Sequence, residues 1–240
     1  MSTPCLENAG FCNICMSPTR FVAHTYWLRE SYVCERCRTI PRHRAIVEVL
    51  NLVKPGWRDL KMHESSPSPR FLAKFSRDYS ASFFREDLPL GADVDGDRNE
   101  DIENLTFADE SFDIFITQDV LEHVFHPDKA VREIVRVLRP EGIHVFTTPK
   151  HKYLLKSFPR ASLIDGRIQH LHEPNYHGNP IGDGRSLVTW DYGADFDDLA
   201  QRWSGYNTSN FVIRDRSRGI DGEYLDVFVT KKAEANKTGS

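Results

Sequence analysis

Two short apolar runs stand on either side of one amphipathic stretch in the middle of this chain. Residues 112–117 (FDIFIT) and 143–147 (IHVFT) are dense in β-branched and aromatic residues and read as strands. Between them, His126-Pro127 opens a helix carrying Val131, Ile134, Val135 and Leu138 on one face, and Pro140 and Gly142 close it. Further strands are expected at 60–64 and 80–84, with a helix over 69–77 between them. Strands alternating with helices imply a mostly parallel sheet. Upstream, Ile46, Val49, Leu50 and Val53 recur at helical spacing until Pro55-Gly56. Downstream, a helix is expected over 195–203 and two closing strands at 211–214 and 225–230.

At 240 residues, with 40% hydrophobic and 28% charged residues, the chain has the composition of an ordinary soluble protein that can bury a large core without disulfides. No apolar run approaches the roughly 20 residues needed to span a bilayer, and the N-terminus does not read as a secretory signal, so a cytoplasmic protein with no membrane partner is expected. The formal net charge of -4 gives no global basic field for nucleic acid. The one dense basic segment is Arg36, Arg38, Arg42, His43 and Arg44.

Cys12, Cys15, Cys34 and Cys37 form C-x2-C-x18-C-x2-C, a spacing at which two tight turns supply four thiolates to one tetrahedral zinc ion. With every position filled by sulfur, such a metal is structural. Residues 1–40 are expected to be a frayed terminus (1–10, with Cys5 a free thiol) followed by this knuckle, with an aromatic strand over 21–32. Residues 41–232 then form the main domain, 150–190 a lid-like insertion, and 233–240 a disordered tail.

The run from Asp101 to Pro149 combines several elements in order: an acidic residue four before Leu105-Thr106-Phe107, a Phe112-Asp113 strand entry, Glu122-His123-Val124 after that strand, a Glu133-Ile-Val-Arg136-Val-Leu-Arg139-Pro140 helix end, and a strand closing in Thr148-Pro149. This run resembles the core of class I S-adenosylmethionine-dependent methyltransferases, most of all the branch called type 11. The resemblance implies a Rossmann-like, doubly wound, mostly parallel sheet of the seven-stranded type, and an enzyme that binds S-adenosylmethionine. It places Asp101 where the adenine amino group donates and Ile102 against the adenine face. Gln118 and Asp119 form the lip beside the methionine part, with His123 just beyond. The first loop departs from the family: Glu64, or His63, stands near the usual acidic position, and Ser65-Ser66-Pro67-Ser68-Pro69 replaces the glycine-rich turn. Ser65, Ser66 and the amides of the following helix N-terminus are expected to hold the methionine carboxylate. The second strand lacks the usual acidic residue, and Phe84 is placed to stack on adenine.

The segment from His170 to Pro180 gathers three histidines and Tyr176. Methyl transfer to oxygen needs a proton removed, which suits a histidine titrating near neutrality. His172 or His177 is then a general base and Tyr176 orients the acceptor; the alternatives are a second metal site or a loop whose histidines cap turns. The expected substrate is a small polar acceptor, such as a sugar or natural-product intermediate. RNA gripped by the knuckle and the basic segment is the second enzyme reading, and a non-catalytic binding protein the third.

Overall fold

The computed structural model describes residues 3–178 and 184–234. Asn179 and Pro180 of the histidine segment, and 235–240 of the expected tail, lie outside the described residues. The chain divides into two compact units, Met1–Trp57 with Asn210–Val227, and Arg58–Ser209 with Phe228–Ser240. The expected boundary at residue 40 falls inside the first unit.

In the first unit, β1 (Leu6–Cys12), β2 (Ser17–Ala23) and β3 (Val33–Cys34) form an antiparallel sheet. The expectation of a frayed end over 1–10 is corrected: Leu6 to Cys12 pairs with Ala23 to Ser17 in unbroken register. Cys5 extends the pairing, its N–H and its thiol both donating to the Ala23 carbonyl. Of the aromatic strand expected over 21–32, only 21–23 belongs to β2. The short helix α1 (Leu28–Ser31) occupies most of the remainder. Helix α2 (Pro41–Val53) starts with proline where a missing N–H costs little and buries Ile46, Val49 and Leu50. Gly56, at φ 81°, turns the chain beyond it.

The second unit is built on a sheet whose strands are β4 (Lys61–Ser65), β5 (Asp78–Phe83), β6 (Asp93–Val94), β7 (Asp97–Asn99), β8 (Phe112–Gln118) and β9 (Leu138–Thr147). Three two-stranded ribbons lie outside it: β10 (Phe158–Pro159) with β15 (Trp190–Asp191), β11 (Ala161–Ile164) with β12 (Arg167–His170), and β13 (Tyr176–Gly178) with β14 (Arg185–Leu187). β16 (Thr208–Phe211) and β17 (Val227–Lys231) complete the sheet. Its order is β16-β17-β9-β8-β4-β5-β7-β6. β7, β5, β4, β8 and β9 run parallel to one another, while β6 is antiparallel to β7 and β17 to β9. The chain moves outward from β4 through β5 to β7, then returns to place β8 on the other side of β4. That reversal is the topological switch point of a doubly wound sheet. Seven strands follow the expected pattern, and β6 adds a short eighth.

Helix α3 (Pro127–Val137) crosses from β8 to β9 and buries Val131, Ile134 and Val137 in a core with Phe112, Phe115 and Phe146. α4 (Phe196–Ser204) contributes Phe196 and Ala200 to the same core. The expected helix over 69–77 is corrected. Only one 3-10 turn forms, Leu72–Lys74. Pro67 and Pro69 remove donors at its start, and Phe71 and Leu72 bury side by side as one anchoring turn instead of a periodic face. The loop after β4 therefore offers no α-helix N-terminus for an anion. No helix among the described residues is long and apolar enough to cross a membrane.

Candidate functional site

Parallel strands β4 and β8 pair Glu64 with Ile116 and Ser65 with Thr117, so the loops that follow them leave the sheet side by side at the switch point. His63 does not reach that edge. Its ring is fully buried among Phe107, Phe112 and Phe115, with Nδ1 2.8 Å from Ser80 Oγ and Nε2 2.9 Å from Ser82 Oγ. Burial pushes its pKa down to about 3, so it is a neutral core histidine.

Glu64 is also fully buried. Tyr79 Oη donates to its Oε2 at 2.6 Å, and Gln118 Nε2 donates to its Oε1 at 2.5 Å. Burial raises its carboxyl to about 7. Glu64 therefore holds the Gln118 side chain at the end of β8. Because its folded pKa lies above the ordinary value, the folded state keeps a proton that the unfolded chain releases between about pH 4.5 and 7. Stability is lost as pH rises through that window, by about 3 kcal/mol at roughly 1.4 kcal/mol per pKa unit. Glu64→Gln removes the titration, and a flipped Gln118 amide then offers Oε1, which otherwise has no partner among the described residues. The variant is expected to be more stable than wild type at about pH 8 and to lose that advantage below about pH 5 in urea titrations. A variant less stable at both values would show that the carboxylate is a net stabiliser.

Both exits bend through left-handed backbone at non-glycine residues, Ser66 at φ 52° and Asp119 at φ 52°. Such strain persists where surrounding bonds over-determine it, as at ligand clamps. Ser66 N–H donates to Ser82 O at 2.8 Å. Asp119 N–H donates to Thr147 O at 3.0 Å, and Thr147 Oγ1 donates back to Asp119 Oδ1 at 2.8 Å. Ser66 is thus where the glycine-rich turn would be, held without glycine.

Asp101 sits half-exposed in a turn, its Oδ1 accepting from Glu103 N–H at 2.8 Å. Buried Glu100 fixes the approach to that turn by accepting from Thr106 N–H and Oγ1 and from Arg98 Nε. Arg136 of α3 clamps the exit, donating to the carbonyls of Leu105 and Phe107 at 2.9 Å each. The Glu-Ile-Val-Arg pattern of the sequence therefore holds the acidic turn in place. Ile102 is only 5% exposed and packs with Leu105 and Phe112, so it serves the core. Phe84, just past β5, is 43% exposed.

Beyond Asp119, a 3-10 turn (Leu121–His123) carries a buried Glu122, whose Oε2 accepts from Thr148 Oγ1 at 3.0 Å. His123 Nδ1 lies 2.8 Å from Leu187 O, and burial lowers its pKa to about 4. The His123 and His177 rings meet edge to face with centroids 5.1 Å apart. The other two residues of the histidine segment have different neighbours. His172 packs on Phe158 at 4.7 Å, and Tyr176 lies under the Arg185 guanidinium at 4.9 Å. Glu122, which the sequence pattern places with His123 just after the β8 strand, stands 3.9 Å from His123 and 3.9 Å from His177. Its signal was its place beside a histidine after an apolar strand.

In the first unit, Cys12 Sγ lies 3.7 Å from Cys37 Sγ and Cys15 Sγ 4.0 Å from Cys34 Sγ, with all four sulfurs within 4.8 Å of one another. Of the basic segment, Arg44 is fully buried and His43 is 1% exposed. Arg42 Nη1 lies 3.6 Å from Glu30, leaving Arg36 and Arg38 as its exposed cations.

Residues 67–146, from the loop after β4 through most of β9, match the family model described as a methyltransferase domain. Among solved structures, the chain is similar to Burkholderia thailandensis 1,6-didemethyltoxoflavin-N1-methyltransferase, determined with 1,6-didemethyltoxoflavin and S-adenosylhomocysteine. The identity is 12%, the TM-score 0.51, and the match covers 81% of this chain and 79% of that one. It is similar to Streptomyces venezuelae DesVI at 14% identity and a TM-score of 0.50, over 80% and 92% of the two chains. At such identities the likeness speaks for the fold. No curated protein matches by sequence. The domain match over residues 67–146 and the parallel order around the switch point agree on the Rossmann-like fold of a methyltransferase domain.

Proposed function

We propose that this protein transfers a methyl group from S-adenosylmethionine to an oxygen of a small polar acceptor such as a sugar or natural-product intermediate. The observation that carries the reading is the pair of strained exits, Ser66 and Asp119, side by side at the switch point where doubly wound sheets bind ligands. The donor set fits the cofactor. Asp101 spends Oδ1 on Glu103 N–H and keeps Oδ2 for the adenine amino group, and exposed Phe84 offers a face for the ring. Ser66 and Gln118 suit the methionine end. When bound, S-adenosylmethionine supplies an electrophilic methyl on a sulfonium sulfur. The protein then has to align the acceptor in line and exclude water. Of the three candidate catalytic residues, His177 faces the loop after β8, so the acceptor proton is assigned to its side; His172 and Tyr176 line the neighbouring ribbons. The four cysteines hold a structural zinc ion, since their geometry closes all four tetrahedral positions with sulfur. Burial of Arg44 and His43 disfavours the RNA reading.

Calorimetric titration with S-adenosylhomocysteine tests the cofactor site. Wild type is expected to bind, and Asp101→Ala to weaken binding by about tenfold, the worth of one charge-assisted hydrogen bond. A folded wild type that does not bind would overturn the enzyme reading.

A further inference from the structure

A cluster of metal-ligating side chains lies in the second unit, apart from the four cysteines. Glu122, His123 and His177 each aim one ligand atom at a common point, and the three atoms lie within 4.8 Å of one another. Glu122 Oε1 is 3.9 Å from His123 Nε2 and 3.9 Å from His177 Nδ1. Those separations are too long for hydrogen bonds. Around one zinc-like ion, with bonds of about 2.0–2.2 Å, neighbouring ligand atoms stand roughly 3.4 Å apart, so each of the two separations from Glu122 closes by about half an ångström.

The supporting contacts set two of the three ligands, His123 and Glu122, in their metal-binding state. Because Leu187 O accepts, His123 Nδ1 carries the proton and Nε2 presents a lone pair toward Glu122. Histidines that bind metals commonly donate their other N–H to a carbonyl or carboxylate in this manner. Thr148 Oγ1 fixes the far oxygen of Glu122 at 3.0 Å and leaves the near one turned to the imidazoles. The turn itself is anchored from the opposite side. Thr189 N–H and Oγ1 donate to Glu122 O at 2.8 and 3.1 Å, and Tyr192 Oη donates to Leu121 O at 2.7 Å.

We infer that Glu122, His123 and His177 bind a divalent transition-metal ion that ties the β13–β14 ribbon to the loop after β8. Two imidazoles and one carboxylate favour zinc, iron or cobalt over magnesium or calcium, and three protein ligands leave positions open for water or a substrate oxygen. A hydroxyl bound there would lose its proton more readily. That use of the open position rests on the methyl-transfer reading, whereas the binding of metal does not.

Full-length protein, stripped and reloaded with cobalt(II), tests the site. Wild type is expected to take up one equivalent more than the cysteine cluster holds. The additional ion should give weak visible bands of nitrogen and oxygen ligation, distinct from the intense thiolate charge-transfer bands. His177 is partly exposed, with its side chain at 38%, so His177→Ala should fold and lose that equivalent while keeping the thiolate bands. Glu122→Gln should do the same. Wild type showing only thiolate-ligated cobalt, or His177→Ala matching wild type in uptake and spectrum, would overturn the inference. Neither result depends on whether S-adenosylhomocysteine binds, so a failed cofactor titration leaves this test intact.

Discussion

Arg44→Met is expected to destabilise the first unit by about 4 kcal/mol, nearly enough to unfold it outright. Arg44 is fully buried on α2. Its Nη2 donates to Tyr32 O and Gly219 O at 2.6 Å each, its Nε to Gly219 O at 3.0 Å, and its Nη1 to Thr39 O. The guanidinium also lies over Phe21 at 4.8 Å from the ring centre. Methionine keeps much of the volume but leaves the buried carbonyls of Tyr32 and Gly219 without their donor, each costing about 1–3 kcal/mol less what relaxation recovers, while Thr39 O keeps the Cys34 N–H. Gly219 has no room to relax: at φ 67°, a Cβ would meet Phe21 at 2.4 Å. Burial lowers the arginine pKa to about 10, which still keeps the charge at neutral pH. Arg44→Lys keeps the charge but not the fork that reaches three carbonyls, and should cost about half as much. Chemical denaturation followed by Trp27 and Trp57 fluorescence checks both values. A methionine variant within about 1 kcal/mol of wild type would mean these hydrogen bonds are replaceable.

Arg44 also shows where a sequence stops being informative. Within Arg36, Arg38, Arg42, His43 and Arg44 it reads as one more cation for a phosphate. Its burial depends on Gly219, which lies 175 positions away. The elements that were legible carry their reason locally. β8, α3 and β9 each have a buried run or stripe long enough to fix type and direction. β1 was missed because LENAGFC alternates half-buried with exposed positions and pairs along one side only, so its apolar signal is thin. The helix expected over 69–77 failed because its apolar residues are adjacent and its first turn lacks donors. At the site, type was legible and orientation was not. His63 and Glu64 are consecutive in a strand covered on both faces, so they point opposite ways and both are buried. Only the register of β4 on β5 shows that Ser80 and Ser82 satisfy the histidine. The histidine segment likewise named the correct residue types, but their division between Phe158, Arg185 and Glu122 is a matter of ribbon geometry.

Removal of the zinc proposed for the four cysteines is expected to have the larger effect still. Zinc sites of this kind supply roughly 10–16 kcal/mol of apparent binding energy near neutral pH, which is folding energy when the site does not exist in the unfolded chain. Two of the sulfurs, Cys12 and Cys34, are buried at the end of β1 and in β3, and Thr19 and Thr39 hydroxyls stand 3.4 and 3.1 Å from Cys34 and Cys37. Four thiolates around one divalent ion leave two negative charges, and the cation that feels Cys12, Cys34 and Cys37 is Arg44. The two predictions are therefore coupled. A strong chelator should abolish hydrogen-exchange protection across β1, β2 and β3 while amides in β8 and β9 stay protected, and Cys12→Ser should do so without chelator. Arg44→Met should in addition loosen zinc, because a nearby positive charge worth about 1–2 kcal/mol at an effective dielectric near 20 is gone. Protection in β1–β3 that survives complete removal of metal would show that the aromatic core around Phe21 and Tyr32 folds this unit by itself.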